Sequence, residues 1–186
     1  MLTAEVQASE FNTRPMNESA EPQAANTPRR PGDTVAILTY RTGPQDANIA
    51  GNVHGGWIMK LCDDAAAIAA SRHVGGRVVT AAVDGMKFRS PIHVGDLITL
   101  RATVNAAWRS SLEVGVRVES EDVRTRNVRH TCTAYLTMVA LDENEKAMPV
   151  PALVPDTPED ERRHREANLR REVRLAHPAD APPTTD

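Results

Sequence analysis

Apolar residues recur with a helical period over one stretch near the middle of the chain. They stand at i, i+3, i+4, i+7 and i+11, the spacing of one helix face: Ile58, Leu61, Cys62, Ala65 and Ala69. The opposite face is equally apolar, so the pattern predicts a helix that is buried nearly all round. Gly55 and Gly56 are predicted to open this helix, and Gly75 with Gly76 to stop it near residue 73.

Alternating and β-branched runs on either side of this helix predict five strands. One precedes the helix and four follow it: residues 34–40, 77–89, 97–108, 111–123 and 130–141. Short turns between the last four favour an antiparallel sheet, and a single buried helix must be wrapped by that sheet. The sequence therefore predicts an α+β domain over residues 34–145, with an antiparallel sheet around one long helix.

The two ends of the chain have a different composition. Residues 1–33 show no sustained periodicity and are predicted to be a disordered leader. In the tail, 146–186, Thr157 and Pro158 precede a charge-laced helix predicted at about 157–176, and residues 181–186 are predicted to be disordered. We expect an exposed helix, with docking on a neighbour left open. Its interleaved acids argue against RNA binding by its arginines.

Composition excludes several classes of protein. The net charge of −3 gives no indication of binding to nucleic acid or to an anionic membrane. No apolar run approaches the ~18 residues of a bilayer span, and the first residues lack a signal-peptide pattern. Cys62 and Cys132 are predicted to be buried free thiols in a reducing compartment, and the His and Cys spacings do not suggest zinc. We expect a cytoplasmic protein with no metal site.

Two carboxylates interrupt the apolar helix and are the main indication of chemistry. Asp63 and Asp64 lie in its middle, where an unpaired carboxylate is costly unless it is kept for a reaction. Asp63 could act as a general base or could be a structural carboxylate bonded to an adjacent loop. Asp64 points about 100° away around the helix and is predicted to be structural or to face an interface.

The start of the helix offers hydrogen-bond donors. A helix N-terminus has free N–H groups and a positive dipole end, and the absence of side chains at Gly55 and Gly56 lets a carbonyl oxygen approach them. This arrangement would suit an oxyanion. His54 could be a base, a cap or a packing residue. From the residues alone, Asn48 is best explained as a turn residue.

The order of elements and several short motifs resemble the hotdog-fold acyl-CoA thioesterases, of the cytosolic acyl-CoA hydrolase type. The matching runs are residues 46–56, 59–65, 77–81, 88–92, 94–96 and 109–111. They spread across residues 34–141, and both tails lie outside the resemblance. The resemblance implies hydrolysis of fatty acyl-CoA to a free fatty acid and coenzyme A, with no further cofactor. It also implies that Asp63 is the catalytic carboxylate and that Asn48 reaches the same site from the opposite subunit.

Coenzyme A carries phosphates, which favour arginine and backbone N–H groups. With the resemblance, the predicted substrate-binding residues are His54, Arg89, Arg109, Ser110 and Ser111. Arg89 could equally be a salt-bridge partner.

A single domain of this kind would leave a long edge strand in need of a partner. We therefore expect a dimer with a continuous sheet and two helices side by side, and the resemblance adds hexamers built as trimers of dimers. Two alternatives remain open. A thioesterase for acyl groups on carrier protein would lack a basic rim for coenzyme A. Retention of both Asn48 and Asp63 argues against a non-catalytic acyl-CoA-binding protein.

Overall fold

Five antiparallel strands form one sheet in the computed structural model of the chain, which describes residues 27–176. The strands are β1 (Ala36–Arg41), β2 (Arg77–Phe88), β3 (Leu97–Ala107), β4 (Ser111–Glu121) and β5 (Val128–Leu141). Their order across the sheet is β1-β3-β4-β5-β2, so β1 and β2 are the two edges. All five strand predictions are confirmed with boundaries shifted by a few residues. Residues 1–26 of the predicted disordered leader and the predicted disordered end, 181–186, lie outside the described residues.

The helix α1 (Gly55–Val74) packs along one face of this sheet. The four alanines Ala65, Ala66, Ala69 and Ala70 have no solvent exposure, and their small side chains let the helix backbone approach the strands closely. Gly75 ends the helix with φ of 72°, a left-handed conformation that glycine adopts without strain. The predicted α+β architecture, a hotdog fold, is therefore confirmed.

The far side of α1 corrects the prediction of a helix buried all round. Met59 and Ile68 are 47% and 37% exposed, and Lys60 forms an exposed salt bridge of 2.6 Å with Asp64. The reason is geometric: a single sheet covers only one side of a helix. The other side of α1 is apolar in composition but is left uncovered by residues 27–176.

The residues of β4 alternate between the inner face of the sheet, toward α1, and its outer face. Its apolar residues Leu112, Val114, Val116 and Val118 are buried beneath α1, as the alternation predicts. Glu113, on the opposite face, is also fully buried, because the helix α2 (Pro158–Ala176) lies across that outer face. The helix was predicted at about 157–176, but as an exposed element rather than as a layer of its own domain.

Polar contacts attach α2 to the sheet. Arg170 donates two hydrogen bonds to Glu113, of 2.9 and 2.7 Å, and Asn105 donates a third of 2.9 Å. Arg174 forms a salt bridge of 2.5 Å with Asp84, which is also almost fully buried. Leu169 and Val173, two apolar residues four positions apart on α2, are 60% and 64% exposed. Charge therefore holds this helix in place.

The predicted leader and tail both contribute ordered backbone. Arg29 forms a bridge with Leu153, and a short 3-10 turn follows at Pro31–Thr34. The prediction of disorder up to residue 33 is therefore wrong for residues 29–33. His73 of α1 contacts the segment that contains Leu153. Its Nε2 lies 2.9 Å from the carbonyl oxygen of Pro151. Burial lowers the pKa of His73, which keeps the ring neutral and lets Nε2–H donate to that carbonyl.

The two cysteines are free and buried, as predicted. A hydrogen bond between their thiols, together with burial, raises the pKa of Cys62. A thiol held in this protonated form is a poor nucleophile. Among the helices of residues 27–176, none is long and apolar enough to cross a bilayer.

The buried pair between Glu113 and Arg170 gives a stability prediction. Replacing Glu113 by alanine would leave a guanidinium without its partner beneath α2, and we expect a loss of about 3 kcal/mol in the free energy of unfolding. The control is Glu119→Ala, which removes the exposed ion pair to Arg117 on the same strand and should cost less than about 1 kcal/mol. Urea titration of both variants measures the difference. Equal losses of stability in the two variants would contradict a stabilising role of the buried pair between Glu113 and Arg170.

Candidate active site

The loop before α1 is closed by Asn48. Its Oδ1 accepts hydrogen bonds from the backbone N–H groups of Ala50, at 2.9 Å, and Asn52, at 3.2 Å. The side-chain Nδ2 makes no hydrogen bond to the described part of the chain. The turn role expected of asparagine is therefore present, and it leaves a donor group free to meet another molecule.

His54 caps the helix. Its Nδ1 accepts the N–H of Gly56 at 3.0 Å, and a Cβ on Gly56 would lie only 3.1 Å from the imidazole ring. A side chain at position 56 would therefore crowd the capping ring, which would have to shift by a few tenths of an ångström. The Gly56 N–H is engaged by the cap, whereas the Gly55 N–H has no acceptor within residues 27–176. Of the two amides predicted to bind an oxyanion, only that of Gly55 is open.

A cleft of about 370 Å³ lies at this end of the helix. Its walls include Asn48, Gly55, Phe88, Arg89 and Ser90. The Ser90 hydroxyl is buried and has no hydrogen-bond partner among residues 27–176, and sequence analysis assigned it no role. We call Asn48, Gly55, Arg89 and Ser90 the donor half-site, because every one of these residues can donate a hydrogen bond into the cleft.

Asp63 lies elsewhere, two turns further along α1. It is half-buried, and its Oδ1 accepts a hydrogen bond of 2.5 Å from the hydroxyl of Thr80 on β2. Sequence reasoning missed Thr80, because a threonine near the start of a strand is ordinary β-branched composition. We call Asp63 and Thr80 the carboxylate half-site.

The two half-sites are separated within one chain. Asp63 follows Gly55 by eight positions, which is about 12 Å along the helix axis. Gly55 faces the ring of Phe88 at the end of β2, whereas Asp63 faces Thr80 near its beginning. A carbonyl held by the Gly55 N–H would therefore be out of reach of the Asp63 carboxylate of the same chain.

The remaining predicted residues lie on the turn between β3 and β4. Arg109 is exposed, and the carbonyls of Arg109 and Ser110 accept hydrogen bonds from Val150 and Ala140. Ser111 begins β4, and none of the three lines the cleft beside Asn48. Within residues 27–176, no group of three or more His, Cys, Asp or Glu residues is placed to hold a metal ion.

Exposed apolar side chains lie along the edge strand β2 and on the adjacent side of α1. Val79, Val83 and Phe88 of β2 are exposed, as is Met59 of α1. In the part of the chain that the structure describes, β2 is an edge strand that pairs with β5 alone, so one row of its backbone groups is unpaired there. Exposed apolar side chains beside an open strand edge are typical of a surface covered by another chain.

The sequence matches known proteins over the same elements. The model of the thioesterase superfamily matches residues 50–126. The Bacillus subtilis protein named "Uncharacterized acyl-CoA thioester hydrolase YkhA" is 37% identical over 128 residues, which are 69% of this chain and 74% of that protein.

Two solved structures share this fold. The acyl-CoA hydrolase from Staphylococcus aureus, in complex with butyryl coenzyme A, coenzyme A and coenzyme A disulfide, is 33% identical with a TM-score of 0.77, over 82% of this chain and 93% of that one. Variants of it with an aspartate, an asparagine or a threonine changed to alanine are also solved. A hexameric acyl-CoA thioesterase is 36% identical with a TM-score of 0.80, over 83% and 99% of the two chains. The chain belongs to the hotdog-fold acyl-CoA thioesterases of the thioesterase superfamily.

Proposed function

We propose that this protein hydrolyses the thioester of fatty acyl-CoA, giving a free fatty acid and coenzyme A. The observation that carries the proposal is the half-buried Asp63, held by the Thr80 hydroxyl at the open edge of the sheet. A carboxylate fixed through one oxygen keeps the other available to accept a proton from water. Hydrolysis of a thioester needs such a base and a donor for the oxyanion.

A dimer formed through β2 would join the two half-sites. Residues 80 and 88 lie on either side of Asp84, so a two-fold axis near Asp84 would place Thr80 of one protomer beside Phe88 of the other. Because Phe88 borders the donor half-site, the partner's cleft would then face Asp63. The same contact would cover the exposed apolar side chains of β2 and pair its open edge.

The reaction uses groups from both sides of this contact. Asp63 removes a proton from a water molecule, and the oxygen of that water bonds to the thioester carbonyl carbon. The Gly55 N–H of the facing protomer holds the oxyanion, and its Asn48 Nδ2 orients the water. The carbon–sulfur bond then breaks, and the proton held by Asp63 passes to the departing thiolate. Water and protein groups suffice, so we propose no cofactor.

Residue spacing supports this assignment. In the Staphylococcus aureus enzyme, the asparagine that was replaced precedes the replaced aspartate by 15 positions, and the replaced threonine follows it by 17. Asn48, Asp63 and Thr80 have the same order and spacing in this chain. The threonine is the residue that only the geometry of this structure brings to attention.

We propose that Arg89 and the turn 109–111 bind the coenzyme A part of the substrate, with His54 acting through its cap. Arg89 already lines the donor half-site. Met138 pairs with both Thr80 and Leu112, so the turn lies at the end of the sheet that carries Asp63. The similarity to a hexameric thioesterase supports further assembly of three dimers. Two free thiols support a location in the cytoplasm.

Loss of the proposed base gives the first test. Asp63→Asn keeps the size of the side chain and removes its charge, so we expect turnover to fall by about a hundredfold or more. Release of free thiol from a series of acyl-CoA chain lengths measures this. Asp64→Asn, which removes only an exposed ion pair, serves as the control. Turnover that Asp63→Asn leaves unchanged would exclude Asp63 as the base.

Thr80 gives a second test through its hydroxyl. Thr80→Val keeps the shape of the side chain and removes the donor to Asp63. We expect kcat to fall about tenfold, since a hydrogen bond to a charged group contributes roughly 1.5–3 kcal/mol. Thr80→Ser restores the hydroxyl and should recover most of the rate. A valine variant as active as the serine variant would argue against the contact.

Mixing two inactive variants tests whether the site is shared. Asn48→Ala and Asp63→Asn each disable every site in their own dimers. In a mixed dimer, one site would receive the intact Asp63 of the first chain and the intact Asn48 of the second. After unfolding and refolding together, we expect about a quarter of the parent activity, because half of the dimers are mixed and one of their two sites is intact.

Refolding each variant alone provides the control for this experiment. If the catalytic pair came from one chain, the mixture would show no more activity than its components.

A further inference from the structure

We propose that the outer face of the sheet, opposite α1, binds a phosphate-bearing anion between the strands and α2. The site is a second cleft of about 280 Å³, here called the arginine cleft. Its sheet wall includes Arg89, Arg101, Arg117 and Tyr135, and its other wall is the first half of α2. This volume is near the lower end of the range for small-molecule pockets.

The register of the sheet aligns cations along this face. Arg101 of β3 pairs directly with Arg117 of β4, Arg117 pairs with Thr133 of β5, and Thr133 pairs with Lys87 of β2. Directly paired residues share a face, so three cations and one hydroxyl form a row across four neighbouring strands. Three strand spacings make this row about 14 Å long.

Such a row opposes folding unless something compensates it. Like charges placed directly opposite in an antiparallel pair are destabilising. Arg117 has a partner in Glu119 at 2.9 Å. Arg101, Lys87 and the neighbouring Arg89 have no carboxylate within salt-bridge distance in the described part of the chain.

The charge of the cleft contrasts with that of the whole protein. Six arginines and two glutamates line it, whereas the full chain has a net charge of −3. The α2 wall is largely neutralised, since Arg162 and Arg163 pair with Glu159 and Arg162 also pairs with Glu166. The uncompensated positive charge therefore belongs to the sheet wall, and an anion entering the cleft would meet it there.

The shape and donor set favour phosphate groups over a single carboxylate. Guanidinium groups bind phosphate oxygens through two parallel hydrogen bonds, and a row of about 14 Å can hold more than one such group. His130 adds to the same wall, with its Nδ1 3.2 Å from Arg117 and its Nε2 2.8 Å from Thr133. An anion with two linked phosphates fits this arrangement.

Two sources could supply these phosphates: a free nucleotide, or the phosphate end of the coenzyme A substrate. Arg89 lines both this cleft and the donor half-site, so a substrate could pass from one to the other. The second source rests on the proposed acyl-CoA hydrolysis; the binding of phosphate does not.

The test compares Arg101→Gln with Arg124→Gln, which makes the same charge change on the exposed turn between β4 and β5. Calorimetric titration with inorganic pyrophosphate and with ADP at low ionic strength measures affinity in the full chain. We expect the parent and Arg124→Gln to bind alike, and Arg101→Gln to bind at least tenfold more weakly. Because Arg101→Gln relieves a like-charge pair, its melting temperature without ligand should equal or exceed that of the parent.

Acyl-CoA kinetics then distinguish the two sources. A raised KM with unchanged kcat in Arg101→Gln would identify the phosphates as those of the substrate, and an unchanged KM would assign the cleft to a separate nucleotide. Failure of both probes to bind the parent, or equal weakening by the two substitutions, would overturn the proposal. Absence of turnover in a parent that still binds ADP would count against the proposed function alone.

Discussion

One sheet can cover only one side of a helix, and the rest of this structure depends on that constraint. The helix α1 carries apolar residues all round, yet β3, β4 and β5 bury only the side that contains its alanines. The uncovered side coincides with the open edge of β2. The exposed apolar side of α1 and the unpaired edge of β2 lie on one surface. A single contact with a second copy would therefore cover the first and pair the second. The exposed apolar side chains of the helix are best explained as residues that an assembly would bury.

The same constraint explains why the candidate site is divided. A helix of 20 residues places its first turn and its middle at different ends of β2. The first turn carries donors, and the middle carries the carboxylate with its threonine. In the proposed reaction, neither half would hydrolyse a thioester alone. An antiparallel contact between the β2 strands of two chains would bring the donor half-site of one chain to the carboxylate half-site of the other. The same contact would then serve both assembly and catalysis.

The outer face of the sheet is built on a different principle from the inner one. Inside, small and branched apolar side chains pack closely. Outside, α2 is held by buried ion pairs from Arg170 and Arg174, and the strands carry paired cations beside it. Removing one member of a buried ion pair is costly, so these contacts fix the position of α2 closely. The arginine cleft owes its second wall to that attachment.

The sequence by itself determined the elements, the inner face of each strand and the family. These follow from local periodicity, from glycine at helix ends and from motifs carried on adjacent residues. It also predicted Asp63 and, through the family resemblance, Asn48 as site residues. Thr80 gave no signal, because its contact with Asp63 depends on which helix residue lies opposite it.

Tertiary structure alone decided four matters: the separation of the half-sites, the engagement of the Gly56 amide by His54, the docking of α2 by charge, and the alignment of Arg101 with Arg117. Each of these depends on register and on contacts between residues distant in the chain. Periodicity specifies which way a side chain points, and only packing specifies what it meets.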